Sequence, residues 1–433
     1  MATDFDAVIV GAGPAGSSAA ILLARAGWSV ALVEKQPFPR RKVCGECVAA
    51  SNLPLLDALG IGTAFSTAAG PDLRQVALMR GEDKVVADLP TASSLTHPWG
   101  RALGRETLDT LLLEEARSAG AHIFQPWSVQ SIAGSAGAWQ VALRAVDSAD
   151  TQTLNAAVAI DAHGSWEALP SARPSSLPTN KARAGSDLLA FKANFRGASL
   201  PKGLLPVLCF NGGYGGMVVA DADETTLACC IRRDRLDACR AASSGRRAGE
   251  VVEALLMREI LGVRNALRGA TREGAWLASG PLNPGIRLRG DDEIFRIGNA
   301  AGEAHPIIGE GMSMALQSAW LLCAHLLRAE HPNASTNPTW QRDIATRYAT
   351  EWRHQFAGRL RLAASFAHIA MRPVTAAPLL ALAHLWPGLL TAGARWGCKT
   401  RSAVDPALMA MMAVRNVRAS LPRVTSPFAT HAT

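Results

Sequence analysis

The sequence predicts an α/β protein: a Rossmann-like dinucleotide-binding domain, an antiparallel β-sheet inserted into it, and a helical C-terminal region. Three observations carry this reading. Residues 6–34, DAVIVGAGPAGSSAAILLARAGWSVALVE, write strand, glycine-rich turn, helix and second strand without a break. Residues 295–319 repeat the order strand, glycine-rich loop, helix. Between the two, residues 188–232 change to longer alternating strands, broken at Asn211-Gly-Gly-Tyr-Gly-Gly and at Asp221-Ala-Asp-Glu, the pattern of an antiparallel sheet.

In the first unit, residues 7–10 form a buried apolar strand and residues 17–26 an Ala/Leu-rich helix stopped by Gly27. The turn between them is Gly11-Ala-Gly13-Pro-Ala15-Gly16. Its first glycine permits the bend, its second lets the backbone approach a pyrophosphate, and its third lets helix and strand pack closely. The helix N-terminus then offers free N–H groups and the positive end of its dipole to phosphate. Glu34 closes the second strand, placed to accept from ribose hydroxyls, and a carboxylate there disfavours a 2′-phosphate.

Composition sets the outer limits. A chain of 433 residues, 48% hydrophobic and 18% charged, buries a large core and should divide into two or three domains. The strand starting within the first ten residues leaves an expectation of no signal peptide, hence of a cytoplasmic, reducing setting with mostly free thiols among the eight cysteines. The net charge of +8 is uneven: residues 352–433 hold ten Lys/Arg against Asp405 alone. Neither an aromatic ladder nor a zinc spacing accompanies this basic tail, so nucleic acid and metal are poor partners. An anionic membrane surface or substrate suits it better, the plainer alternative being a solvated helical face.

Taken in order, the loop after Glu34 is Lys35-Gln-Pro-Phe-Pro-Arg40-Arg41-Lys42-Val-Cys44-Gly45-Glu-Cys47, a Pro-rich basic stretch whose cations suit a pyrophosphate. Cys44 and Cys47 have redox spacing without a thioredoxin-like surround, and read as two unpaired thiols. A helix is expected at 51–59, two short strands at 75–89, and an amphipathic helix at 104–120 with Arg105 at its entrance. Strands run to about residue 160, where Asp161-Ala-His163-Gly-Ser-Trp166 closes the segment. Residues 234–267 are helical and charged. In the tail, residues 374–394 carry no charge, but Pro378, His384 and Pro387 interrupt them; short helices over a substrate cavity or on a membrane surface fit better than a spanning helix.

Residues 11–34, Arg105 with its helix, Asp161 to Ser165, and Gly298 to Gly311 together resemble the FAD-dependent oxidoreductases of the p-hydroxybenzoate hydroxylase fold, in the branch holding geranylgeranyl reductases and flavin halogenases. The resemblance covers residues 4–330. It implies an FAD-binding domain at 1–70, 101–185 and 276–330, a substrate domain at 71–100 and 186–275, and a C-terminal helical region at 331–433. It places the pyrophosphate on Gly11, Gly13, Ala15 and Gly16 and the ribose on Glu34. Lys35, Arg41 and Arg105 serve the phosphates or ribityl chain, Cys44 and Gly45 the isoalloxazine, and Gly298 and Asn299 the ribityl. Gly309, Gly311 and Met312 begin a helix that faces the flavin's carbonyl edge, where a dipole stabilises the reduced anion.

The chain also departs from the family. Asn299 stands where Asp is usual, and His163-Gly164 stands where an Asp-Gly motif serves FAD and NAD(P)H. The Trp-x-Trp-x-Ile-Pro motif of halogenases is absent. The expected function is an FAD-dependent oxidoreductase of specialised metabolism, most simply a monooxygenase with NAD(P)H as electron donor, acting on a bulky hydrophobic small molecule. The alternatives are a geranylgeranyl reductase-like reduction of alkenes and a flavin-bound carrier without turnover. Glu310, His305 and His163 are the candidates for proton handling.

Overall fold

The structure, a computed structural model, describes residues 3–165, 169, 184–243, 245–288, 292–328, 334–397 and 400–412. Trp166, Cys398 and the tail cations Lys399, Arg415, Arg418 and Arg423 lie outside them.

Strand β1 (Thr3–Val10) sends alternate residues to two cores: Ala7 and Ile9 pack under α1 (Pro14–Arg25), Val8 and Val10 against the opposite face. Helix α1 starts earlier than its Ala/Leu run because Pro14 supplies a preset φ and lacks only an N–H that would have no helical partner. β2 (Val30–Val33) is buried throughout. The chain continues through α2 (Leu53–Ala58) to the hairpin β3 (Gln75–Arg80) and β4 (Asp83–Asp88). Helix α3 (Arg105–Ser118) turns Leu108, Leu112, Leu113 and Ala116 inward. Then come β5 (His122–Phe124), β6 (Trp127–Ser135), β7 (Ala138–Ala145) and the long β8 (Thr151–Asp161).

The inserted segment holds β9 (Leu188–Arg196), β10 (Leu204–Phe210), β11 (Gly213–Val219) and β12 (Thr225–Arg232). Helices α4 (Arg233–Ala241), α5 (Ala248–Glu259) and α6 (Leu261–Leu267) follow, then β13 (Thr271–Ser279). The chain returns through β14 (Phe295–Arg296) and α7 (Gly311–Leu326), and ends in α8 (Pro338–Ala370), α9 (Pro373–Leu385) and α10 (Gly388–Trp396).

The first sheet runs β5-β2-β1-β8-β7-β6, with β14 beside β8. Strands β5, β2, β1, β8 and β14 are mutually parallel, so the crevice at their carboxyl ends is where such a sheet takes a dinucleotide. The second sheet runs β13-β9-β12-β11-β10-β3-β4. The expectation of an antiparallel sheet holds for every pair but one: β3 lies parallel to β10, Gln75 opposite Leu204 through Met79 opposite Leu208. A parallel pair needs a long crossover, and the whole of α3 to β9 lies between these two strands in sequence.

One face of the second sheet, with Phe191, Phe195, Leu208 and Leu227, packs under α5 and α6. On the other face Ala190, Cys230, Tyr214 and Cys209 form a row across four strands, packed with Ala367, Leu380 and Ala383 of the tail helices. The charge-free run 374–394 becomes α9 and α10, separated at Trp386-Pro387. Among the described residues no single helix is long and apolar enough to cross a membrane; α8 and α9 meet at 101°.

Candidate active site

The carboxyl ends of β1, β2 and β8 gather Gly11, Glu34 and His163, and α3 brings Arg105 to the same crevice. Glu34 is 4% exposed. Its Oε2 accepts from the Ala12 N–H (3.0 Å) and its Oε1 from the Gln36 N–H (2.9 Å), which fixes the carboxylate at the end of β2. Arg105 donates through Nε and Nη2 to both oxygens of Asp109, each at 2.7 Å. Burial alone would lower the Arg105 pKa, but Asp109 outweighs it and raises the value, so the guanidinium stays charged.

Arg40 reaches between these acids, 3.3 Å from Glu34 and 3.6 Å from Asp109. Its Nε is buried with no hydrogen-bond partner among the described residues. Lys42 points toward Gly164, its Nζ 3.8 Å from where a Cβ there would stand. Burial, then Arg105 and Arg40, lower its pKa to about 8. Three cations thus meet over the N-terminus of α1 with one donor unsatisfied, a donor set that fits a bound pyrophosphate.

The other expected cofactor residues divide by place. Ala15, Lys35, Cys44, Gly45, Gly298, Asn299, Gly309, Gly311 and Met312 line the same cavity. Asn299 donates to the Ser165 hydroxyl (2.8 Å), and Gly309 adopts a left-handed conformation two residues before α7. Arg41 also lines the cavity but leans toward the second sheet, donating to the Glu273 carbonyl and the Asn194 amide oxygen and lying 3.6 Å from Glu106, while Arg40 stands beside Glu34 and Asp109.

Of the proton-handling candidates, His163 lines the cavity, its Nδ1 against Asp161. His305 stands behind Tyr214, and Glu310 is fully buried behind the cavity wall, 3.4 Å from Arg359 of α8, where it joins α7 to α8.

Other site residues have no local signal in the sequence. Glu46, itself in a left-handed conformation, accepts from Lys192, Thr226 and the Arg105 N–H, tying the Cys44-Gly45 loop to the second sheet and to α3. Asp109 alone was readable, four residues from Arg105 on one helical face. Among the described residues no three His, Cys, Asp or Glu side chains are grouped to hold a metal, and seven cysteines are free thiols.

The cavity has a volume of about 880 Å³. It runs from the glycine turn to the row Cys230, Tyr214 and Cys209, under a roof that includes Phe366, Leu379 and Leu390 of the tail helices.

Residues 4–338 match the family described as FAD binding domain. The chain belongs to this family. Within the FAD binding domain family, it is 26% identical over 350 residues to a tryptophan 2-halogenase of Chondromyces crocatus, covering 77% of this chain and 64% of that protein's length. A menaquinone reductase of Mycobacterium tuberculosis is 34% identical over 118 residues, 27% of this chain and 28% of that one. The fold is shared with the flavin-dependent brominase Bmp2 (TM-score 0.68, 17% identity, 96% of this chain and 100% of that one). It is also shared with PqsL, a probable FAD-dependent monooxygenase from Pseudomonas aeruginosa (TM-score 0.59, 19% identity, 83% and 97%).

Lys42 gives a pH test of FAD binding. With its folded pKa near 8, below the 10.5 of the free side chain, Lys42 loses its proton early in the ligand-free protein. Stability carries that cost below pH 8 and regains it as pH rises from 8 toward 10.5, because there the unfolded chain binds the extra proton. A bound pyrophosphate reverses the shift. FAD binding near pH 8.5, at the middle of the transition to about one unit, should therefore take up a proton, and affinity should fall as pH rises through that range. Calorimetry in buffers of different ionisation enthalpy reads the uptake, and Lys42→Met should abolish it.

Proposed function

We propose that the protein is an FAD-dependent monooxygenase of specialised metabolism, acting on a bulky, largely apolar small molecule. The observation that carries this is the single cavity joining the glycine turn to an apolar sheet face under a helical roof. FAD, when bound and reduced, supplies the electrons that activate O₂. The chain's own residues do the rest. Arg40, Lys42 and Arg105 would hold the phosphates, Glu34 the ribose, and the N–H groups opening α7 the negative charge of a reduced ring. Phe366, Leu379 and Leu390 keep water from the apolar half, where each electrostatic interaction is then stronger. The halogenase, brominase and monooxygenase among its relatives and fold neighbours support oxygen chemistry.

NAD(P)H as electron donor belongs to the same proposal. So does delivery of substrate from an anionic lipid surface through the tail, where Leu385, Trp386 and Trp396 are exposed, the last beside Arg395 in sequence. A second reading, a geranylgeranyl reductase-like reductase of alkenes, draws on the Cys44-Gly45-Glu46 loop and the menaquinone reductase match.

The test mixes FAD-loaded protein anaerobically with NADH or NADPH, then adds ¹⁸O₂ and alkylphenols or prenyl quinones. The expected result is loss of yellow colour, then one ¹⁸O atom in a phenol product. Colour loss only with an added flavin reductase removes the direct nicotinamide step and leaves the oxygen chemistry. Anaerobic saturation of a prenyl double bond overturns the monooxygenase in favour of the reductase, and no product from either favours the carrier.

A further inference from the structure

In the apolar half of the cavity the sheet offers few hydrogen-bonding side chains, and Tyr214 is the strongest of them. Its hydroxyl lies 3.2 Å from His305 Nδ1, at the centre of the row Ala190, Cys230, Tyr214 and Cys209. The His305 ring lies 5.8 Å, centroid to centroid, from that of His368, which is exposed on α8. No direct hydrogen bond joins the two rings, and at that separation one water spans their nitrogens. With that water, a file of exchangeable groups leads from solvent to the Tyr214 end of the cavity, where Cys209, Cys230 and Glu303 also line the wall.

We propose that Tyr214, His305 and His368 deliver protons from solvent to the reacting substrate, with the Tyr214 hydroxyl as the catalytic donor and the two histidines as positioning residues that refill it. The inference rests on the proposed activity, and it is needed under either redox reading. Oxygenation consumes two protons with its two electrons to leave product and water, and hydride reduction of an alkene consumes one. In each delivery the Tyr214 O–H bond breaks and its proton goes to the substrate-side atom that has become negative. The His305 Nδ1–H replaces that proton while Nε2 takes another from His368 or a water. Tautomer exchange through water, in which Nε2 gives up a proton as Nδ1 gains one, then restores the first form, so one proton has entered and no charge is left behind.

The surroundings suit each role. Burial, followed by the neighbouring Cys230, Glu303 and Cys229, holds the Tyr214 pKa well above its usual value, so the phenol stays protonated. Burial and then the facing His368 lower His305 to about 4, so it works as a neutral imidazole and is not trapped as a cation.

The chain has only two tyrosines, which makes the path measurable. Tyr348 is the internal reference, its hydroxyl donating to the Arg296 carbonyl. With ¹³Cζ-tyrosine in the full FAD-loaded chain in mixed H₂O and D₂O, rapid hydroxyl exchange gives one averaged line and slow exchange gives two. Tyr214, assigned by its loss in Tyr214→Phe, should give one line and Tyr348 two. His305→Asn keeps an acceptor near the Nδ1 position but cannot pass a proton through, and should slow Tyr214 exchange at least tenfold. His368→Ala, on the surface, should slow it without disturbing the fold. Exchange at Tyr214 as slow as at Tyr348, or unaffected by either histidine variant, overturns the path. In turnover, Tyr214→Phe and His305→Asn should lower kcat by about a hundredfold with KM little changed. If no substrate turns over the proposed activity fails, while the exchange experiment still decides the proton path.

Discussion

Gly13→Val should yield a folded protein that purifies without colour. A Cβ at Gly13 meets only the tips of Arg105 and Arg40, at 3.7 and 3.9 Å, and the backbone there is extended with φ −73°. Nothing in the polypeptide itself asks for glycine at this position; the space beneath the cations does, because a pyrophosphate must approach the backbone. Gly16 is the opposite case, since a Cβ there would stand 1.8 Å from the Gly11 carbonyl oxygen, inside the turn. Gly13→Val should lower FAD affinity at least about a hundredfold, near 2.7 kcal/mol, with a melting temperature of the cofactor-free protein close to wild type. Gly16→Ala should instead cost about 3 kcal/mol of folding stability by forcing the turn apart. Titration with FAD, alongside thermal unfolding of both variants stripped of cofactor, separates the two effects. A yellow Gly13→Val protein would mean that the phosphates lie elsewhere.

Lys192→Met is expected to be the most destabilising single change in the second sheet. Lys192 is 1% exposed and pairs with Glu46, which is equally buried. Removing the ammonium leaves a carboxylate in a dry interior, supported only by Thr226 and the Arg105 N–H. Breaking such a pair costs about 3–5 kcal/mol. The doubly changed Glu46→Gln, Lys192→Met protein should recover part of that loss, because the amide oxygen keeps the Arg105 N–H, its NH2 can donate to the Thr226 hydroxyl, and no charge is stranded. Denaturant unfolding of the four proteins in the cycle gives the coupling directly. A Lys192→Met protein within 1 kcal/mol of wild type would show that water reaches the pair.

The strand, turn, helix and acid of the first unit were legible because their evidence is local. Strand, turn, helix and acid fall within residues 6–34, and their periodicity needs no knowledge of the rest of the chain. The orientation of Arg41 was not legible. It and Arg40 are adjacent in a Pro-rich loop, and the distant Glu106, Asn194 and Glu273 draw Arg41 toward α3 and the second sheet while Arg40 stays beside Glu34 and Asp109. Glu310 carries a related lesson: no local pattern announces its partner Arg359, 49 residues later and 3.4 Å away. Glu46 with Lys192, and Tyr214 with His305, are joined across 146 and 91 residues. No spacing rule reaches that far. The parallel pairing of β3 with β10 escaped for a related reason, because a hairpin declares its internal register but not the edge it joins.

Four separated pieces of chain, around residues 11, 34, 105 and 298, build one cradle, and the order of synthesis therefore matters. At about 5–20 residues per second, β1 and β2 emerge about 15–60 s before Gly298 and Asn299 complete the crevice. Through that interval the parallel strands lack β14, and the apolar face of α1 lacks α7, its main helical neighbour. The crevice stays incomplete until then, and the helices that roof the cavity are made last. FAD supplied during translation can therefore meet the crevice before α9 and α10 cover it, whereas FAD supplied to the finished chain must pass beneath that roof.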